Sequence, residues 1–350
     1  MRGHRRGGLL SLALSVLTAL TVLIGTAACG GGDASPKPTP SASSAVPTVA
    51  PPPAAAPQVT LADAGEALAG IISADVVLGA ATPHQDADRK NLLDQTRDGQ
   101  RALAAAAYGD TIPRYTWGKP DLLVPRVQGG TPWFAAIVRR KDAAGKTRLA
   151  VLTVMRQGQD DWQLSSTSLL DPGVRAPAIT KDADGYVTAL GEEDPTVEIS
   201  PRLMAPLHAT SAEEGAEGFA AGLIEDGPHT TGYATEIVKK RAAEKQQCRG
   251  YDSIFAASDY PVHALRTADG GALILYSLIR TTTQTVKIGP CAADFKVPPN
   301  LAKLTSDSFV LKELRTVETQ QYVSTVPAKN SGGPARVIGY LGGVTKVTVS

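Results

Sequence analysis

The side chains able to do chemistry are few and scattered. The chain of 350 residues carries three cysteines, Cys29, Cys248 and Cys291, and five histidines. Beyond residue 29 the histidines are His84, His208, His229 and His263, each standing alone. A zinc site draws its ligands from closely spaced Cys and His pairs, and neither Cys248 nor Cys291 has such a neighbour. His84 lies beside Asp86 and Asp88, a trio that could meet on one cation. That stretch follows Pro83 and opens a helix, where carboxylates suit the positive end of the dipole. Asp182-Ala183-Asp184-Gly185 starts like a calcium loop but lacks the third ligand and the glutamate at position twelve, so it reads as a turn. There is no Gly-x-Ser-x-Gly elbow, His-Glu-x-x-His helix, Walker loop or Gly-x-Gly-x-x-Gly before a helix. His263 falls inside an expected strand, on one face with Leu265 and within reach of Tyr260 or Tyr276. These residues imply no cofactor, no metal and no catalytic group, and the expectation is a protein that is not an enzyme.

Cys29 is the exception, because its surroundings have a pattern. Arg2, Arg5 and Arg6 open the chain, and residues 9–24 form an apolar run broken only by Ser and Thr, too short for the ~20 residues of a usual membrane span. Small residues Thr26, Ala27 and Ala28 follow, and this order is that of a secretory signal. Cys29 after Ala27-Ala28 resembles a bacterial lipobox, with Thr26 where Leu is usual. The resemblance implies signal removal before Cys29, a diacylglyceryl group on its thiol, and a cytoplasmic-membrane anchor holding the protein on the extracytoplasmic face. Two acyl chains hold a membrane stably where one does not. Plain cleavage after Ala28 is the alternative.

The leader contains three of the 35 basic residues and none of the 34 acidic ones, so the rest of the chain has 32 against 34, a net of −2. That balance offers nucleic acid no general attraction. Cys248 and Cys291 remain as an even pair 43 positions apart, and export favours a disulfide between them. Closing such a loop is worth at most about 4 kcal/mol in the chain-entropy picture.

Residues 30–58 combine Gly30-Gly31-Gly32, Ser35-Pro36-Lys37-Pro38-Thr39-Pro40, Pro51-Pro52-Pro53 and an alanine run. So little apolar bulk cannot offset the entropy of ordering, and the stretch reads as a disordered tether. Residues 59–172 then read as one α+β unit. Helices are expected over 61–81, capped by Thr60 with Asp63 three residues on, and over 87–108. Strands follow at 121–127, 133–140, 147–156 and 162–170. Residues 173–195 read as a linker. Residues 196–350 repeat the order, with helices over 212–225 and 233–247 and strands at 262–266, 272–282, 309–325 and 335–349. A glycine hairpin recurs too: Arg126, Gly129-Gly130 and Arg139 match Arg266, Gly270-Gly271 and Arg280. The expected fold is α+β, two similar units that each place a helical pair on an antiparallel sheet.

With its lipobox, tether and paired units, the chain resembles a group of Streptomyces-type actinobacterial lipoproteins of unknown function. The units are similar in outline to cystatin-like or nuclear-transport-factor-2-like folds, which implies a curved sheet that can enclose a conical pocket. A non-enzymatic binding module of the cell envelope is the leading expectation, its partner an unidentified envelope protein or ligand. A carrier of a small or hydrophobic ligand is the second. An enzyme using His263 or the Asp86/Asp88 pair is the third.

Overall fold

A computed structural model describes residues 55–73, 93–107, 114–126, 130–158, 161–287, 289, 291 and 293–350. The expected signal, Cys29, most of the tether, and His84, Asp86 and Asp88 lie outside the described residues. The described residues begin with the helices α1 (Leu61–Ser73) and α2 (Asp98–Ala107). Strands β1 (Tyr115–Trp117), β2 (Asp121–Leu123), β3 (Trp133–Asp142), β4 (Thr147–Met155) and β5 (Gln163–Leu170) follow. Then come α3 (Pro201–Glu214), a 3-10 turn at Gly215–Glu217, and α4 (Thr231–Gln246). The remainder is β6 (Arg249–Ala257), β7 (His263–Arg266), β8 (Ala272–Val286), β9 (Phe295–Lys296), β10 (Phe309–Val310), β11 (Glu313–Val326) and β12 (Arg336–Val349).

Local chemistry explains the first helix. The Thr60 hydroxyl accepts from the Asp63 amide, and the Asp63 carboxylate accepts from the Thr60 amide, a reciprocal cap. Ala64, Leu68 and Ile71 then repeat at helical spacing and are buried. The hairpin between β3 and β4 turns at Asp142 to Lys146, where the Asp142 side chain accepts the Lys146 amide.

The expected two separate helix-on-sheet units are not what forms. Ten of the described strands share one hydrogen-bonded antiparallel sheet, in the order β1-β3-β4-β5-β12-β11-β8-β6, with β2 also on β3 and β7 also on β8. The physical reason lies in the edge of β5. A strand left at an edge exposes unpaired backbone groups, and β12 supplies partners from far along the chain. The pairing is brief, Leu170 with Gly339 and Leu169 with Tyr340. A Cβ at Gly339 would meet the Leu169 carbonyl and the Leu170 Cα at 3.0 and 3.1 Å, so the approach needs glycine. Beyond those two pairs the buried Gln321 side chain continues the seam: its oxygen accepts from the Thr167 amide at 2.9 Å and its nitrogen donates to the Ser165 carbonyl at 3.3 Å. Residues of α2 pack across β5, β11 and β12 at the same place.

The sheet wraps around a core of its own. Alternation sends Trp133, Ala135, Val151, Met155, Leu265, Leu273, Leu275, Val323 and Ile338 to one face, where they form a single buried cluster. Residues 174–189 close it, with Val187 bridged to Pro125 and Ala189 to Leu265. The helices use the opposite face. Phe134, Ala136, Leu152 and Val154 pack with α1 and Ala104 of α2. Ile274, Tyr276, Leu278 and Tyr322 pack with α3 and α4. A small lobe built on β9 and β10 adds a fourth cluster of Val297, Leu301, Val310, Leu314 and Val347. The conical pocket implied by the cystatin-like or NTF2-like outline is thus occupied by the sheet's own side chains.

Candidate functional site

The densest polar constellation is one the sequence gives no spacing for. Tyr276 on β8, Tyr322 on β11 and Tyr340 on β12 stand side by side in register on the helix-covered face. The register brings the rings close: Tyr276 and Tyr322 are stacked 5.7 Å apart, and Tyr322 and Tyr340 are 5.2 Å apart. His208 from α3 meets the edge of Tyr322 at 4.5 Å, and Tyr233 from α4 reaches the Tyr322 hydroxyl at 3.1 Å. His229, in the turn before α4, stacks on Tyr340 at 4.5 Å. A Cβ at Gly342 would lie 2.5 Å from the Tyr340 hydroxyl, so the missing side chain two residues on is what lets that ring lie along the strand.

Proton positions follow from the partners. The carbonyl of His229 can only accept, so His208 donates to it from Nε2 at 2.5 Å. Burial pushes His208 down to about 4, so the ring is neutral and Nδ1 accepts from the Tyr276 hydroxyl at 2.9 Å. Tyr276 in turn receives from Ser324 at 2.8 Å. A second chain runs from Tyr233 to Tyr322 to the side-chain oxygen Oε1 of Gln320, 2.9 Å in the last step. Tyr340 donates to Glu318 at 2.7 Å. Burial raises all four phenols above their ordinary range. Arg280 closes the far side, donating to Ser253 and Glu236 with its guanidinium over the rings of Tyr233 and Phe255. This is a directional network that pins α3, α4 and the turn before α4 to the sheet.

A cleft of about 30 Å³, room for about one water, is lined by Asp171, Glu225, Asp226, Pro228, His229 and Arg336. His229 Nε2 lies 3.8 Å from Asp171 there, and burial lowers the affinity of the ring for a proton more than Asp171 raises it. Arg336 is paired with Glu225 at 2.6 Å.

The residues singled out by sequence fall elsewhere. His263 does sit on one face with Leu265, in the inner core; Tyr276 is on the opposite face of β8. The His263 ring is stacked on Trp133 at 4.2 Å, and Nε2 is 3.3 Å from Met155 Sδ. Burial first, then the nearby Arg97 charge, press it down to about 3. Asp182 and Asp184 form a turn clamped by Arg126, whose hydrogen bond holds Asp182 down to about 2. Asp194 pairs with Arg266, Glu193 with Arg202, Arg241 with Asp252, and Glu213 accepts from the Phe255 amide. Cys248 and Cys291 are joined as a disulfide. Among the described residues no cluster of three His, Cys, Asp or Glu could hold a metal ion, and no helix is long and apolar enough to cross a membrane.

Comparison with known proteins gives a consistent family and no chemistry. Residues 79–349 match the family described as Domain of unknown function (DUF8094). An uncharacterized lipoprotein of Streptomyces coelicolor, SCO6871, is 27% identical over 93% of this chain and 91% of its own. A second from that organism, SCO2278, is 27% identical over 63% of this chain and 64% of its own. An uncharacterized lipoprotein of Streptomyces avermitilis is 29% identical over 60% of each. No solved structure matches.

Proposed function

The chain belongs to the DUF8094 family, and we propose that it is a lipoprotein held on the extracytoplasmic face by Cys29, with residues 55–350 acting as a non-enzymatic binding module of the cell envelope. The relatives' names support the membrane anchor. In this reading the Cys29 thiol takes a diacylglyceryl group through a thioether, and the two chains give the lasting hold.

One observation favours surface recognition over a ligand carried inside. Both faces of the wrapped sheet are filled: Leu123, Phe134, Leu265, Leu273 and Ile274 are at most 1% exposed, and the histidines within the layers already have partners. Binding then falls to the outer surface. A thermal-shift series against lipids, wall fragments and metabolites tests this. The expected result is one class of envelope component raising Tm with saturating dose, by an amount equal to about 2.7 kcal/mol at a hundredfold excess over Kd. A surface substitution should then abolish the shift without lowering the Tm of the free protein. Conversion of any tested compound into product would contradict the non-enzymatic reading.

A further inference from the structure

The strongest asymmetry on the molecule is one of charge. Segments 239–249, 287–315 and 345–350 together hold 11 basic and four acidic residues; the rest of the chain beyond Cys29 holds 21 and 30. The fold gathers those three segments at one end. The disulfide joins Cys248 to Cys291, the Lys287 amide donates to the Cys248 carbonyl, and the Lys312 amide donates to the Ser350 carbonyl. The Arg249 guanidinium lies over the Phe295 ring. Lys239, Lys245, Lys287, Lys296, Lys312 and Lys346 are all exposed. Two large apolar side chains stand among them without cover, Phe309 at 48% and Leu311 at 70% exposure, flanking the buried Val310. Phe309 is paired in register with Lys296.

We propose that this lysine-rich tip, with Phe309 and Leu311 at its crest, docks on an anionic lipid surface. The proposal deepens the binding-module reading and rests on it. A soluble polyanion would need only the lysines. A bilayer face uses both features, since apolar side chains enter the interface while cations meet the headgroup phosphates. The length of the leading chain permits it. Ala55 accepts from Arg126, beside the start of β3, and the Trp133–His263 stack ties that region to the start of β8. The tip lies at the other end of β8, about 50 Å away at ~3.4 Å per residue. The 26 residues from Cys29 to Ala55 can span up to about 90 Å, so the tip can return to the membrane that holds the anchor.

The test uses the mature chain carrying Cys29→Ser, so that no acyl group contributes, in flotation with phosphatidylglycerol–phosphatidylcholine vesicles and with pure phosphatidylcholine vesicles. Partition into the anionic vesicles is expected to be at least about tenfold stronger and to fall with added salt. Phe309→Ser with Leu311→Ser, and separately Lys296→Glu with Lys312→Glu, should each lower it by about tenfold or more at unchanged Tm. Phe219→Ser, at the 78% exposed residue after α3, should leave it unchanged. Equal partition into both vesicles, or indifference to the tip substitutions, overturns the proposal. Binding to soluble polyphosphate with none to vesicles overturns it in favour of a polymer. An unacylated Cys29 in cells would undo the anchor while leaving the vesicle result as it stands, so the two readings fail separately.

Discussion

Among the described residues two histidines are buried, one on each face of the sheet, and they are settled by opposite means. His208, on the helix-covered face, has a full-strength hydrogen bond on each ring nitrogen. His263, in the inner core, has a stacked indole and a thioether, a weak acceptor. Both are kept neutral by burial. The contrast shows that one core is held by complementary hydrogen bonds, where removing a partner strands another group, and the other by shape, where an apolar ring of similar size can stand in.

Acid should expose both at once and produce the largest effect. The unfolded chain takes up protons near pH 6.5, while the native protein resists until about 4 at His208 and about 3 at His263. The unfolded state therefore binds more protons in that window, and stability falls as pH falls through it. It is complete above about pH 6.5, and about 3 kcal/mol or more per histidine is lost by pH 4 to 3. Denaturant unfolding at a series of pH values checks this, and a flat profile would break the comparison at its root. The same substitution at both sites sharpens it. His208→Phe leaves the Tyr276 hydroxyl and the His229 carbonyl short of a partner and should cost about 2–5 kcal/mol at pH 7. His263→Phe keeps the stack and should cost about 1 kcal/mol while flattening its share of the acid profile. Equal costs would mean that the network and the stack are energetically alike.

Smaller effects are expected at the seam and at the edge of the network. Gln321→Leu removes the partners of the Thr167 amide and the Ser165 carbonyl and should cost about 2 kcal/mol in denaturant unfolding. Gly342→Ala pushes the Tyr340 ring aside and should lower stability by about 1 kcal/mol, with a change in near-ultraviolet circular dichroism. Asp184→Asn, in the exposed clamp on Arg126, should leave Tm nearly unchanged, since exposed ion pairs contribute little.

What could be read in advance follows the range of the interaction responsible. β3, β4 and β5 were visible as alternating runs between glycine-rich turns, and the Thr60–Asp63 cap was visible as a local pair. The third helix runs over Pro201–Glu214 rather than the expected 212–225. Its signal was Ser200 before Pro201, with proline at the first turn, and the internal Pro206 obscured it. β1 and β6 were missed because β1 is three residues long and β6 follows a helix without a break in polarity. The seam between β5 and β12, and the tyrosine row across β8, β11 and β12, depend on pairings between distant residues. No spacing along the chain encodes them, which is why the sequence points to two units where one sheet forms and shows His208 only as an isolated residue.

The most direct test of the account is the state of Cys29 in cells that make the protein. The N-terminal peptide should begin at Cys29 and carry the added mass of a diacylglyceryl thioether, with the protein in the membrane fraction. The Cys29→Ala form should lose both the modification and the membrane retention that withstands high salt. A free thiol at Cys29, with wild-type protein recovered from the medium, would contradict the anchor and with it the envelope module built upon it.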